Sequence, residues 1–162
     1  MSTDEPRWLN DEERETWLAL ASLMSRFPAA LGTQLQRDAG ISHFEYQALA
    51  VLSEKPDRTT RMSELAMLAD GSLSRLSHVI KRLEKREWVY RTPDPADGRY
   101  TLAVLTDAGW DKVVATAPSH VTEVRRLVFD PLTKAQQKQL REIGHRLNDA
   151  IGHNDACPTQ QG

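Results

Sequence analysis

The stretch from Ser63 to Leu105 constrains the fold more than any other part of this 162-residue chain. Leu65, Ala66, Leu68 and Ala69 follow Ser63, whose hydroxyl can cap a helix, and they predict a helix of barely two turns. Asp70-Gly71 then predicts a tight turn. Ser72 predicts the N-cap of a longer helix that places Leu73, Leu76, Val79, Ile80 and Leu83 on one face. The periodicity changes after that. Residues 88–92 (Trp-Val-Tyr-Arg-Thr) and 100–105 (Tyr-Thr-Leu-Ala-Val-Leu) are rich in β-branched and aromatic residues and predict two strands. Between them, residues 93–99 (Pro-Asp-Pro-Ala-Asp-Gly-Arg) suit the tip of a hairpin. A short helix, a glycine turn and an amphipathic helix make a helix-turn-helix, and a hairpin directly after it makes a winged helix.

Long helices flank this unit. Asn10 before Asp11, Glu12 and Glu13 reads as an N-cap with acids in the first turn, where the helix dipole favours negative charge. The stripe Trp17, Leu20, Met24, Phe27 and Leu31 continues that helix to about residue 37, with Pro28 expected to bend it and Gly40 to cap it. Ser42 with Glu45 is a capping box for a second helix carrying Phe44, Ala48, Leu49 and Leu52, ended by Lys55-Pro56-Asp57. Residues 58–61 (Arg-Thr-Thr-Arg) read as a polar linker. After the hairpin, Thr106 caps a helix striped with Trp110, Val113, Val114, Ala117, Val121, Val124 and Val128. Pro118 is expected to kink it and Asp130-Pro131 to end it. Thr133 with Gln136 opens a last helix, with Leu140, Ile143, Leu147 and Ile151 inward. The expected fold is mainly α with a small β-hairpin. It comprises a dimerisation helix at 11–40, a winged helix-turn-helix at 41–106, dimerisation helices at 107–151, and flexible tails at 1–9 and 152–162.

Composition removes several classes of function. The lone Cys157 can form neither an internal disulfide nor a cysteine zinc cluster, and His43, His78, His120, His145 and His153 are scattered, so no metal and no cofactor is expected. No apolar run approaches the roughly 18 residues of a membrane span, and the acidic, polar N-terminus is unlike a signal peptide, so a cytoplasmic location is expected. No phosphate loop, nucleophile elbow or paired catalytic motif is present, which disfavours an enzyme.

The net charge of −2 hides an asymmetry. Residues 1–20 hold six acids against two arginines, whereas residues 72–86 hold five cationic residues against the single Glu84. A basic helix in an acidic chain is a docking face for a polyanion. With the apolar face turned inward, Ser74, Arg75, Ser77, His78, Lys81, Arg82 and Lys85 point outward. The serines, Arg75 and His78 near the N-terminal end can reach base edges, and arginine pairs bidentately with guanine. Lys81 and Arg82 suit phosphates. In the hairpin, Arg99 can enter a narrow minor groove while Asp97 fixes the tip. The expected DNA-binding residues are therefore Ser72, Ser74, Arg75, Ser77, His78, Lys81, Arg82, Asp97 and Arg99.

Residues 97–109 (Asp-Gly-Arg-Tyr-Thr-Leu-Ala-Val-Leu-Thr-Asp-Ala-Gly) resemble the D-x-R wing and the following LT-x-x-G helix start of the MarR family, the multiple-antibiotic-resistance regulators. Residues 63–66 (Ser-Glu-Leu-Ala) and 83–86 (Leu-Glu-Lys-Arg) resemble its two DNA-binding helices, and the likeness extends over about residues 11–150. Glu87 departs from the pattern, since the family commonly closes the recognition helix with glycine. The resemblance implies a homodimer whose first and last two helices interlock, with paired winged domains on a near-palindromic operator, usually as a repressor. It also implies a small phenolic or lipophilic effector in a cleft beside the dimerisation helices, to which Trp17, Met24, His43 and Tyr46 are placed to contribute without being assigned as a site. The branch that senses peroxides uses an N-terminal cysteine, unlike Cys157.

The broad stripes of the three long helices independently call for burial, either in a dimer or in a single-chain bundle. Another class of function competes with the regulator, namely a winged-helix module whose basic helix meets an acidic protein surface without operator specificity.

Overall fold

The computed structural model describes residues 5–152. Helix α1 spans Asp11–Ala39 and runs through Pro28. Its start is a full capping box: Asn10 Oδ1 accepts from the Glu13 N–H at 2.8 Å, and Glu13 Oε2 accepts from the Asn10 N–H at 3.0 Å. Its end is Gly40 at φ 66°, the left-handed conformation glycine adopts without a Cβ clash. Helix α2 (His43–Glu54) opens on the Ser42–Glu45 box.

The polar linker proves to be a strand. Residues Thr59–Arg61 form β1, which pairs antiparallel with the later β3 and buries Thr60. Three residues are too few to show an alternating pattern, but two β-branched threonines suit the edge of a sheet. Helix α3 (Met62–Leu68) follows without a break, so Arg61 takes the cap position and Ser63 lies inside the first turn, contrary to its expected capping role. Asp70 at φ 53° makes the turn. Gly71 is required there for space, because a Cβ would lie 2.4 Å from the Phe44 ring.

Helix α4 (Leu73–Lys85) is capped by Ser72, whose Oγ accepts from the Arg75 N–H at 3.1 Å. Strands β2 (Val89–Pro93) and β3 (Thr101–Leu105) form the hairpin, and the sheet order is β1-β3-β2. The register sets Val89 opposite Leu105 and Arg61 opposite Leu102. Leu35, Leu49, Leu52, Leu65, Leu76, Ile80 and Leu83 are fully buried together with Val89 and Ala103, so α1 to α4 and the sheet share one core.

Glu87 does adopt the left-handed conformation, at φ 60°. The Trp88 N–H reaches back to the Leu83 carbonyl at 3.1 Å, and the Glu87 carbonyl accepts from the Thr106 hydroxyl at 2.7 Å. Those bonds offset a backbone cost of about 1 kcal/mol for a residue with a Cβ. Thr106 Oγ1 also accepts from the Gly109 N–H at 3.0 Å, capping helix α5 (Asp107–Val124). Gly109 allows this packing, since a Cβ there would sit 2.2 Å from the Trp88 carbonyl oxygen. The Leu-Thr-x-x-Gly string thus joins the hairpin to the end of α4.

Helix α5 passes through Pro118 and changes to one π-helical turn at Arg125–Phe129, closed by the Asp130 N–H on the Arg125 carbonyl at 2.8 Å. Helix α6 (Lys134–Gly152) begins with the Thr133–Gln136 box and includes Gly152, which was expected in the tail. Leu140, Ile143, Leu147 and Ile151, expected to face inward, are exposed on α6. The described residues divide into two compact units, with the boundary in the chain between His120 and Val121. Of the expected tails, residues 1–4 and 153–162 lie outside the described residues, as does Cys157.

Candidate nucleic-acid interface

Helix α4 keeps Leu76, Val79, Ile80 and Leu83 in the core, and this inner face fixes the outer one. Ser72, Ser74, Arg75, His78, Lys81, Arg82 and Lys85 are exposed, whereas Ser77 is half-buried and turned toward the hairpin. Leu73, expected in the core, is 53% exposed and lines the same groove as Ser77. Ser72 spends its oxygen on the helix cap.

Two arginines of α4 are held in place. The Arg75 guanidinium carbon lies 4.1 Å from the centre of the Phe44 ring, the same ring that packs on Gly71. Arg82 donates from Nε to Glu45 Oε1 at 3.0 Å, so it also reaches back to α2.

In the wing, Asp97 and Arg99 come together as expected. Arg99 donates from Nε to Asp97 Oδ1 at 3.0 Å and from Nη2 to Oδ2 at 2.6 Å, and its backbone N–H bonds Oδ1 at 3.1 Å. These bonds hold the Asp97 carboxyl below its ordinary pKa. The Arg99 side chain is 84% exposed, which leaves it open toward a partner while its direction is set.

Sequence reading missed two further arginine–carboxylate pairs. Arg91 on β2 grips Glu84 of α4, with Nε to Oε1 at 3.0 Å and Nη2 to Oε2 at 2.8 Å. Arg61 on β1 donates from Nε to Asp94 Oδ2 at 2.8 Å. Both are contacts between separate elements, which local residue spacing does not announce. A groove of about 280 Å³ runs between Ser77 on α4 and Arg61, Arg91, Arg99 and Tyr100 on the sheet side.

A second cleft, of about 540 Å³, lies beside the start of α4 among Pro28 and Ala29 of α1, His43, Phe44 and Gln47 of α2, Asp70 and Arg75. Of the four residues placed near an effector cleft, His43 lines it. Trp17 and Met24 are exposed on α1, and Tyr46 is buried against the His120 ring at 4.5 Å. Burial, and then the nearby Arg75 charge, push the His43 pKa down. Gln34 donates to Asp38 and to Ser119, so its Oε1 accepts from Nδ1–H of His120 at 3.1 Å, which sets that tautomer. Among the described residues no helix is long and apolar enough to cross a membrane.

A short helix, a tight turn, an exposed basic helix and a hairpin pinned against it define a winged helix-turn-helix protein. The sequence model of the MarR family matches residues 41–101. The chain is similar to Sco3205, a MarR family transcriptional regulator of Streptomyces coelicolor whose crystal structure is in complex with DNA. The two are 46% identical, with 91% of this chain and 92% of that chain covered at a TM-score of 0.87. AbsC, a MarR family transcriptional regulator of the same organism, is 32% identical, with 91% and 99% covered and a TM-score of 0.86. The HTH-type transcriptional regulator MhqR of Bacillus subtilis is 28% identical over 118 residues, 71% of this chain and 79% of that protein. The chain belongs to the MarR family of transcriptional regulators.

Proposed function

We propose that this chain is a sequence-specific, double-stranded DNA-binding repressor that acts as a homodimer on a near-palindromic operator. The observation that carries the reading is the exposed face of α4 beside a wing whose Arg99 is aimed by Asp97. The DNA complex of Sco3205 supports it, at 46% identity. Ser74, Arg75, Ser77 and His78 read base edges, Lys81 and Arg82 meet phosphates, Ser72 sets the start of the helix, and Arg99 enters the minor groove. Segments 11–40 and 107–151 form the dimer, and 41–106 meets DNA. The protein works by binding in the cytoplasm, not by catalysis.

The cleft beside His43, Phe44 and Arg75 favours an added level of control. A small phenolic or lipophilic effector seated there would touch Arg75, a residue of the DNA-facing surface.

The test is to incubate the purified chain with fragments of its source genome in the presence of excess random competitor, and to sequence what is bound. Recovered fragments should share two half-sites about 10 base pairs apart centre to centre. Binding should weaken steeply with salt. Binding no tighter than to the competitor rejects the repressor and leaves the protein-interaction module.

A further inference from the structure

We infer that Arg61 and Asp94 are positioning residues for the wing, and that their ion pair sets where Arg99 meets the duplex. The inference rests on the DNA-binding reading above and assigns a task to two residues that reading does not use.

Asp94 roots the hairpin tip. Its N–H donates to the Tyr100 carbonyl at 2.9 Å, and its carbonyl accepts from the Asp97 N–H at 3.2 Å. The side chain is only 9% exposed and divides its two oxygens. Oδ1 accepts from the Ala96 N–H at 2.9 Å, which shapes the turn. Oδ2 takes both Nε and Nη2 of Arg61, each at 2.8 Å.

Arg61 stands on the opposite edge of the sheet. In the order β1-β3-β2 it belongs to one outer strand, whereas Asp94 directly follows the other. The pair therefore bridges the outer strands over the start of β3, where the Arg61 guanidinium carbon lies 4.2 Å from the Tyr100 ring centre. Tyr100 is the neighbour of Arg99. Arg61 is also the cap residue of α3, so the wing tip is tied to the helix-turn-helix through one side chain.

Arg61 is 42% exposed, so solvent screens the pair from that side and ordering the long side chain costs entropy, which limits what the pair adds to global stability. Orientation is a separate matter. Residues 94–100 form a seven-residue tip beyond the paired parts of β2 and β3, and the Arg61–Asp94 bridge ties the root of that tip to β1 and the start of α3. An arginine that must enter a groove loses affinity when its approach is spread over many directions.

Asp94→Asn separates positioning from simple electrostatics. It keeps an oxygen for the Ala96 N–H, removes the charge that holds Arg61, and makes the whole chain one unit more positive. If Arg61 itself contacts phosphate, freeing it should leave affinity unchanged or raise it. A positioning role predicts the reverse, a loss of about tenfold on a duplex selected by the full-length protein from a random pool. Arg61→Gln, which leaves the Asp94 turn intact, should lose a similar amount and guards against misfolding of the first variant. Neither loss should persist in an Arg99→Ala background, because there is then nothing left to aim. Asp94→Asn binding as well as the parent while Arg99→Ala binds more weakly overturns the positioning role alone, as does a loss undiminished in the Arg99→Ala background. Arg99→Ala binding like the parent overturns the wing reading beneath it, and the positioning role falls with it.

Discussion

Glu45, 7% exposed on α2, accepts from Nε of Arg82 on α4 at 3.0 Å and from the Ser42 N–H at 2.8 Å. Burial pushes its carboxyl up, but the Ser42 N–H and Arg82 outweigh burial and hold it below the ordinary value. A lowered carboxyl contributes stability that is present above the unfolded pKa and is lost as pH falls through the folded one. Arg82→Ala should therefore cost about 2 kcal/mol at neutral pH, the worth of a charge-assisted hydrogen bond, and should make the acid-side loss shallower. Urea denaturation across the acid range checks both. An Arg82→Ala protein as stable as the parent would make Arg82 a phosphate contact only.

Arg75 and Lys81 should behave differently. Arg75 leans on the Phe44 ring, which limits its directions before DNA arrives. Arg75→Ala should cost about 1–3 kcal/mol on the selected site and relax base preference, whereas Lys81→Ala should weaken all DNA alike and lower the salt slope by about 1. Affinities for selected and random duplexes over a salt series separate the two. Equal losses for both variants on both duplexes would remove base reading from Arg75.

Features that depend on near neighbours were legible in the sequence. The boxes at Asn10–Glu13, Ser42–Glu45 and Thr133–Gln136 each rest on side chains three residues apart. The core face of α4 followed from periodicity, and the Asp97–Arg99 pair from spacing. Strand β1 was not legible, because three residues carry no period and its order comes from β3, forty residues later. Leu73 shares the stripe of Leu76 and Leu83, but at the first helical position it projects toward the hairpin. The Arg61–Asp94 bridge spans 33 residues and exists only once the sheet is assembled. Glu87 shows the limit of a residue-type rule, since neighbouring hydrogen bonds let a non-glycine residue take the glycine conformation.

His120 and His43 predict a pH effect on stability. Burial lowers the pKa of both, with the Arg75 charge adding to the effect at His43 and the His43 charge adding to it at His120. The unfolded chain then binds more protons than the folded one below the ordinary histidine range, so stability should fall as pH drops through that range. His120→Gln should show a flatter decline. Thermal melts from neutral to mildly acidic pH decide this, and parallel curves for the two proteins would place the titrating group elsewhere.

Leu140, Ile143, Leu147 and Ile151 recur at helical spacing on one face of α6 and are all exposed within a single chain. Trp17, Leu18, Leu23 and Met24 leave a similar surface on α1. Apolar surface of this extent is costly to leave in water, and a second copy of the same helices is the partner that a near-palindromic operator requires. The parent should sediment at twice 18.3 kDa at micromolar concentration. Leu147→Glu places a charge in the middle of the stripe on each copy, and a central interface position should weaken the dimer at least about thirtyfold. The winged unit buries its core separately, so its melting should change little. DNA binding should nevertheless fall on a two-half-site duplex and remain nearly unchanged on a single half-site, since only the coupling between half-sites is lost. A parent that sediments as a single 18.3 kDa species rejects the dimer. A Leu147→Glu protein that stays dimeric moves the interface away from this face of α6.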